Sequence, residues 1–400
     1  MTRRASFLLL IGLAACAGDE GARADVSVRD SAGVTIVEND LGLRSDACVL
    51  DSAPSVTIGV EDGPEEYQLY RVFGARRLRD GRIVVVNQGS QQLRFYDATG
   101  RFLAQSGGAG GGPGEFTNAF QLWVLPGDTI WVGDYRPWRY LVFGPDGRWL
   151  RNVRPEPVYF NAPDVMALLD DGRQVLGERP AARASGPGFQ SQSLTVAIHT
   201  ADGTLQDTVA RLDGGRWGQL DDDPQSIVLF PLFESFGRAT ATGTHILTAH
   251  TSQAEYRLLR PEAPFVVDRI VRWTTDDRRI TPADIEAEHA RTASRYEGLP
   301  PGDRRRLLEP LISPDRPVAD QFPAFVQLEP SRDGGVWVRE YARPTRPDSP
   351  AWLRFHADGR FACRLRTPAF ARVLEFGDGY LLALDRDDLG VERVMQYVFR

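Results

Sequence analysis

The stretch Leu78-Arg79-Asp80-Gly81-Arg82-Ile83-Val84-Val85-Val86 sets an Asp-Gly turn before a β-branched run, a strong short hairpin signal. Gln92 to Asp97 then alternates apolar and polar residues, and Gly100-Arg101-Phe102-Leu103 opens another strand after a second turn. The unit is strand, Asp-Gly turn, strand, polar loop, strand, glycine turn, strand. That is a four-stranded antiparallel meander, and it recurs. Leu125-Pro126-Gly127-Asp128-Thr129-Ile130-Trp131-Val132 repeats its first half and Tyr140 to Arg148 its second. Gly81 and Gly127 are 46 residues apart, the length of a propeller blade. Further starts stand at Asp171-Gly172-Arg173, Gly243-Thr244-His245, Asp333-Gly334-Gly335 and Asp378-Gly379-Tyr380. One such unit leaves two faces bare, whereas units stacked radially cover one another. The repeats predict an all-β fold: a six-bladed β-propeller of four-stranded antiparallel blades.

The last unit is short, because the chain ends after three strands. Ser55-Val56-Thr57-Ile58-Gly59 alternates and has no partner in its own neighbourhood. It is expected to supply the missing strand, since closing the ring removes open edges. One segment breaks the β pattern. Thr281 as N-cap, Pro282 in the first turn and Asp284 three residues after the cap start a helix that runs to Tyr296. Pro300-Pro301-Gly302 interrupts it, and Arg304 to Leu311 reads as a second short helix. The insertion spans about 281–318, between blades four and five.

The first residues address the chain. Arg3 and Arg4 form a positive region, and Ala5 to Leu13 an apolar run too short to span a membrane. Leu13-Ala14-Ala15-Cys16 follows and resembles a bacterial lipobox. That resemblance implies removal of residues 1–15 as a lipoprotein signal peptide and lipidation of Cys16. With Ala17 rather than Asp after it, the sorting pattern points to the outer membrane. Residues 16–44 then read as a lipid-anchored flexible tether, rich in Gly, Ala, Asp and Arg at its start, and 45–400 as the propeller. Two cysteines remain, Cys48 and Cys363. Outside the cytoplasm an even pair suggests a disulfide, with two unrelated buried thiols as the other reading. Ring closure brings the two regions together and favours the bridge.

All 47 basic residues are Arg, the net charge is −7, and no basic run or basic–aromatic stripe stands out, which argues against nucleic-acid binding. A monomer is expected.

Three stretches together carry a family likeness: Asp80-Gly81-Arg82-Ile83-Val84-Val85-Val86-Asn87, then Leu93-Arg94-Phe95-Tyr96-Asp97-Ala98-Thr99-Gly100-Arg101-Phe102-Leu103, then Gly111-Gly112-Pro113-Gly114-Glu115-Phe116. They resemble NHL-type six-bladed propellers, and the chain from about residue 45 is similar to bacterial six-bladed propeller lipoproteins. Gln91-Gln92-Leu93 stands where the NHL repeat carries Asn-His-Arg. The resemblance implies a fold and little chemistry.

Lactonases and an amidating lyase share that fold class and hold a metal in the central channel. A Ca or Zn ion belongs here only under that alternative; no cofactor is otherwise expected. The histidines are His199, His245, His250, His289 and His356. His245 and His250 stand five apart on a strand and face opposite ways. Asp221-Asp222-Asp223-Pro224 reads as an acidic solvated loop, and Asp134, Glu178, Glu340 and Asp385 are the acids that could converge on the axis or cap turns. No HExxH, CxxC or Gly-x-Ser-x-Gly occurs, so no catalytic residue is assigned. Residues 106–116, SGGAGGGPGEF, lack the Lys-Ser/Thr of a phosphate-binding loop and read as the connector between blades one and two.

The glycine turns occupy one end of the blades and are short. The loops and blade connections at the other end are long and varied, which is where binding is expected. Tyr135, Arg136, Trp138, Arg339 and Tyr341 are the candidates for a rim that binds a protein, peptide or glycan partner.

Overall fold

The computed structural model describes residues 25–43, 47–180, 186–223, 225–346 and 351–400. Strands dominate, in six sheets that follow one another along the chain. Sheet one holds Val72–Arg77, Ile83–Asn87, Gln92–Tyr96 and Phe102–Gly107. Sheet two holds Ala119–Leu125, Thr129–Asp134, Arg139–Phe143 and Trp149–Val153. Sheet three holds Val165–Leu168, Gln174–Glu178, Gly188–His199 and Leu205–Gln219. Sheet four is built on Gly237–Ala241, Ile246–His250, Glu255–Leu259 and Val267–Trp273. Sheet five is built on Phe325–Pro330, Val336–Glu340, Trp352–Phe355 and Phe361–Leu365. Sheet six has Arg372–Phe376, Tyr380–Arg386 and Glu392–Val398 and borrows its fourth strand, Val56–Ile58, which pairs antiparallel with Val394 opposite Ile58.

Second strands such as Ile83–Asn87 and Tyr380–Arg386 are buried on both faces for most of their length, because each sheet is covered on two sides. Six apolar clusters do the covering. Val84, Val86, Leu122 and Val132 join sheets one and two; Trp131, Trp138, Leu168 and Leu176 join two and three. Val175, Val196, Ala241 and Ile246 join three and four, and Leu247, Tyr256, Val336 and Phe355 join four and five. Trp337, Trp352, Phe376 and Leu381 join five and six, with Trp337 stacked on Phe376 at 4.3 Å. Ile58, Val85, Tyr96, Leu382 and Val394 join six back to one. The sheets close on themselves in a propeller-like arrangement, and every interface is apolar.

The tether expectation is corrected in part. Val26–Ser31 and Val34–Asn39 form a hairpin, and the second strand pairs in parallel with Val267–Trp273 at the outer edge of sheet four. Ala32 and Gly33 both have positive φ at its two-residue turn, the geometry a tight hairpin needs. Ile36 and Val37 are buried on opposite faces of the strand, and its pairing covers the open edge of Val267–Trp273. Ala47–Cys48 adds a further parallel strand to sheet five, and Cys48 and Cys363 form a disulfide.

The insertion is minor. The helix Pro282–Arg295 starts with a capping box: Thr281 accepts from the Asp284 amide and Asp284 accepts from the Thr281 amide. A second helical run covers Pro301–Asp303, Arg304–Leu308 and Glu309–Leu311, starting earlier than Arg304. The loops around it make a satellite cluster of Leu232, Phe233 and Phe322, with Ile285, Val318 and Tyr341 packed alongside. Among the described residues no helix is long and apolar enough to cross a membrane.

Candidate functional site

The antiparallel order puts the short glycine turns at one end of the sheets and the long loops and sheet-to-sheet connections at the other. Residues 106–116 lie at the long-loop end. Gly107 there has φ +87°, and a Cβ on it would stand 2.6 Å from the buried Phe116 ring. The run is a connector pressed onto the core.

The five rim candidates separate into four places. Tyr135 and Arg136 follow the strand Thr129–Asp134 at the long-loop end; Arg136 is exposed, with its guanidinium 5.1 Å from the Phe160 ring and its Nε donating to Asn161 Oδ1 at 2.8 Å. Phe160 is 69% exposed and Val158 58%, so this rim offers an apolar patch next to a cation. Trp138 is not on the rim. It is fully buried, packs edge-on against Tyr140 and Trp123, and lies so close to Gly133 that a Cβ there would stand 2.2 Å from its ring. An indole this apolar gains more from the core between sheets two and three than a rim can give.

Tyr341 stands in a crevice of about 660 Å³ at the long-loop end, where sheets four and five meet. Trp273, Phe322 and Tyr341 provide its aromatic walls, with Tyr341 stacked on Phe322 at 5.3 Å. Arg278, Arg343, Arg346, Arg364 and Arg366 line it against three acids, Asp40, Asp276 and Glu340. The Arg343 guanidinium sits 5.2 Å from the Phe322 ring, and Arg364 pairs with Glu340 at 3.0 Å. Burial pushes the Glu340 carboxyl above its usual range, with the Arg364 cation opposing that shift. The surround is cationic in a chain whose net charge is −7.

Arg339 faces elsewhere. It lines a cavity of about 650 Å³ on the axis, walled by residues from the first strand of all six sheets, including Arg76, Gln121, Ala167, Arg238, Gln327 and Glu375. At the end near the Asp-Gly turns, the charges of this channel are matched. Gln327 donates to Glu329 at 2.5 Å, the Arg77 amide donates to Glu375 at 2.8 Å, and Arg332 lies 3.8 Å from Glu375. Burial holds Glu329 and Glu375 above the usual carboxylate range.

Of the two roles open to Asp134, Glu178, Glu340 and Asp385, convergence on the axis is not seen, since none of them lines the channel. Asp134 is fully buried and spent. Its Oδ2 accepts from Arg139 Nε at 2.9 Å and Nη2 at 2.8 Å and from Thr117 Oγ1 at 2.8 Å, while Oδ1 accepts from the Asn118 amide. It pins the connector to sheet two. Glu178 is exposed, Glu340 is in the crevice, and Asp385 is half-buried on sheet six. Asp221 and Asp223 accept from neighbouring groups within their own loop; Pro224 lies outside the described residues. His245 is near Asp268 and His250 near Asp213, at opposite ends of one strand. Among the described residues no three His, Cys, Asp or Glu side chains come together as a metal site would require, so the residues present do not fit a channel-bound Ca or Zn. Cys16 lies outside the described residues.

The sequence raised the channel only as a place for a metal and set Arg339 and Tyr341 on one rim; the crevice and the arginine lining of the channel it did not show. Their arginines are scattered across sheets, and only the alternation of inner strands hints that Arg76, Arg238 and Glu329 face the axis.

The structure defines a class, the propeller-like all-β proteins, and one solved structure superposes on it with a TM-score above 0.5. A member of the DUF4221 family from Bacteroides vulgatus superposes with TM-score 0.51 at 9% identity, over 89% of this chain and 99% of that one. A Bacteroides fragilis protein described as exported reaches TM-score 0.48 at 12% identity over 91% and 99%. Regucalcin from Agrobacterium tumefaciens, a calcium-binding protein, reaches 0.36 at 10% over 84% and 94%. At 9% identity the likeness to the DUF4221 protein is one of fold alone. The chain matches no protein-family model, and no curated protein matches its sequence.

Proposed function

We propose that this protein is a six-bladed β-propeller of the NHL-like kind, secreted and held on a bacterial envelope membrane, the outer membrane in the leading reading, by lipid on Cys16. There it binds a protein, peptide or glycan partner at its long-loop end, without catalysis. The observation that carries the reading is the crevice between sheets four and five, with aromatic walls and five arginines against three acids. Aromatic and arginine side chains supply most of the energy of binding surfaces. An excess of cations selects an acidic partner and speeds its encounter. The Tyr135, Arg136 and Phe160 rim lies at the same end and extends the surface.

The competing reading, a metal-dependent lactonase or lyase with its site in the channel, needs three converging carboxylates or imidazoles. The channel's carboxylates, Asp164, Asp170, Glu329 and Glu375, stand among five arginines, and no three of the described candidate ligands come together. Co-purification of the full-length lipoprotein from native envelopes tests the binding reading. The wild type should retain a stoichiometric partner in low salt, and Arg343→Glu should lose it at unchanged thermal stability. Equal retention by both would count against the crevice.

A further inference from the structure

The axial channel is polarised along its length, and this is independent of the crevice. Three arginines line its long-loop half: Arg179, Arg238 and Arg339. One carboxylate, Asp164, meets them, and it is taken by Arg179 at 2.9 Å. Arg238 has no carboxylate partner among the described residues. Its guanidinium lies 5.7 Å from the Phe236 ring, and that of Arg179 6.0 Å from the same ring. The Nε atoms of both arginines are buried without a hydrogen-bond partner. A satisfied buried donor stabilises the fold, whereas an unpaired one on a cation destabilises it, so such a group is kept only where something else offsets it. Burial, reinforced by Arg179, pulls the Arg238 pKa below its ordinary value, and an anion beside it would relieve that cost.

The rest of the wall narrows the chemistry. Trp123 contributes an aromatic surface and Gln121 an amide that can donate and accept, with Gln327, whose amide donates to Glu329, further along the wall. The volume of about 650 Å³ suits an organic molecule rather than a single ion. A guanidinium for a carboxylate, a flat ring for a carbon skeleton and amides for hydroxyls is the complement of an acidic sugar.

We propose that the long-loop half of the axial channel binds an acidic saccharide unit, with Arg238 and Arg339 on its carboxylate. The site is distinct from the partner crevice.

The test is calorimetric titration of the purified full-length protein with galacturonate and glucuronate, against galactose, citrate and inorganic phosphate. One of the two uronates should bind, galactose should not, and Arg238→Gln should weaken binding by about tenfold or more. Arg339→Gln should weaken it too. Arg343→Gln, in the crevice, should leave it unchanged, so failure of the channel proposal and failure of the crevice reading are separately visible. Thermal melts of each variant show that the fold is intact. No uronate binding, binding unaffected by Arg238→Gln and Arg339→Gln, or citrate or phosphate bound as tightly as the uronates would overturn the proposal.

Discussion

Cys48 and Cys363 are joined by a disulfide whose Cα atoms stand 5.5 Å apart across 315 positions of sequence. It fixes the strand Ala47–Cys48 to the outer edge of sheet five, with Cys48 opposite Leu365. Just beyond it the two ends of the fold are knitted together, the Val49 amide donating to the Arg400 carbonyl at 2.7 Å and the Asp51 amide to Val398 at 2.9 Å. The bridge therefore guards the seam where the array of sheets closes.

Removing it should loosen that seam. A double Cys48→Ala, Cys363→Ala variant is expected to lose about 2–5 kcal/mol, the usual loss for a native disulfide and near the top of the range for so long a loop. Urea unfolding with and without reductant measures this. Identical midpoints would show that the bridge contributes nothing.

Trp138→Ala should cost about 3–5 kcal/mol, the range for emptying a buried aromatic site. Partner binding by the folded fraction should be unchanged, because the indole is wholly inside. A variant of normal stability that lost binding would put Trp138 back on the rim.

His199 predicts a pH effect. It is fully buried, neither ring nitrogen has a partner, and burial pushes its pKa down from 6.5 to about 4. The folded state keeps it neutral while the unfolded chain takes a proton, so stability falls as pH drops from about 6.5 to about 4 and this contribution is constant below that. Melting temperatures of wild type and His199→Phe, compared across that window, isolate it. The variant should lose less stability on acidification, and parallel curves would contradict the assignment.

Much of the fold was legible because its signals are local. Asp80-Gly81, Gly127-Asp128 and Asp171-Gly172 each mark a turn, and the runs beside them fix strand direction. The closing strand Val56–Ile58 followed from the deficit of one strand in sheet six. The hairpin Val26–Asn39 was missed because its composition resembles a tether; its order comes from parallel pairing with a strand more than 230 residues away. Trp138 was misplaced because an aromatic residue beside Arg136 and Pro137 looks like a rim, and only the bare backbone of Gly133 opposite it betrays the packing. The crevice and the arginine lining of the channel escaped because they are assembled from side chains of several sheets.

Partner binding at the long-loop end is what the proposed function requires above all. Site-specific photocrosslinking in native cells tests it directly, with the crosslinker at Arg136 or Tyr341 at that end and at Arg79 or Thr99 among the exposed turns of the opposite end. A discrete adduct is expected from Arg136 and Tyr341 and none from Arg79 and Thr99. Adducts from the turn positions alone, or equally from both ends, would contradict the proposed function.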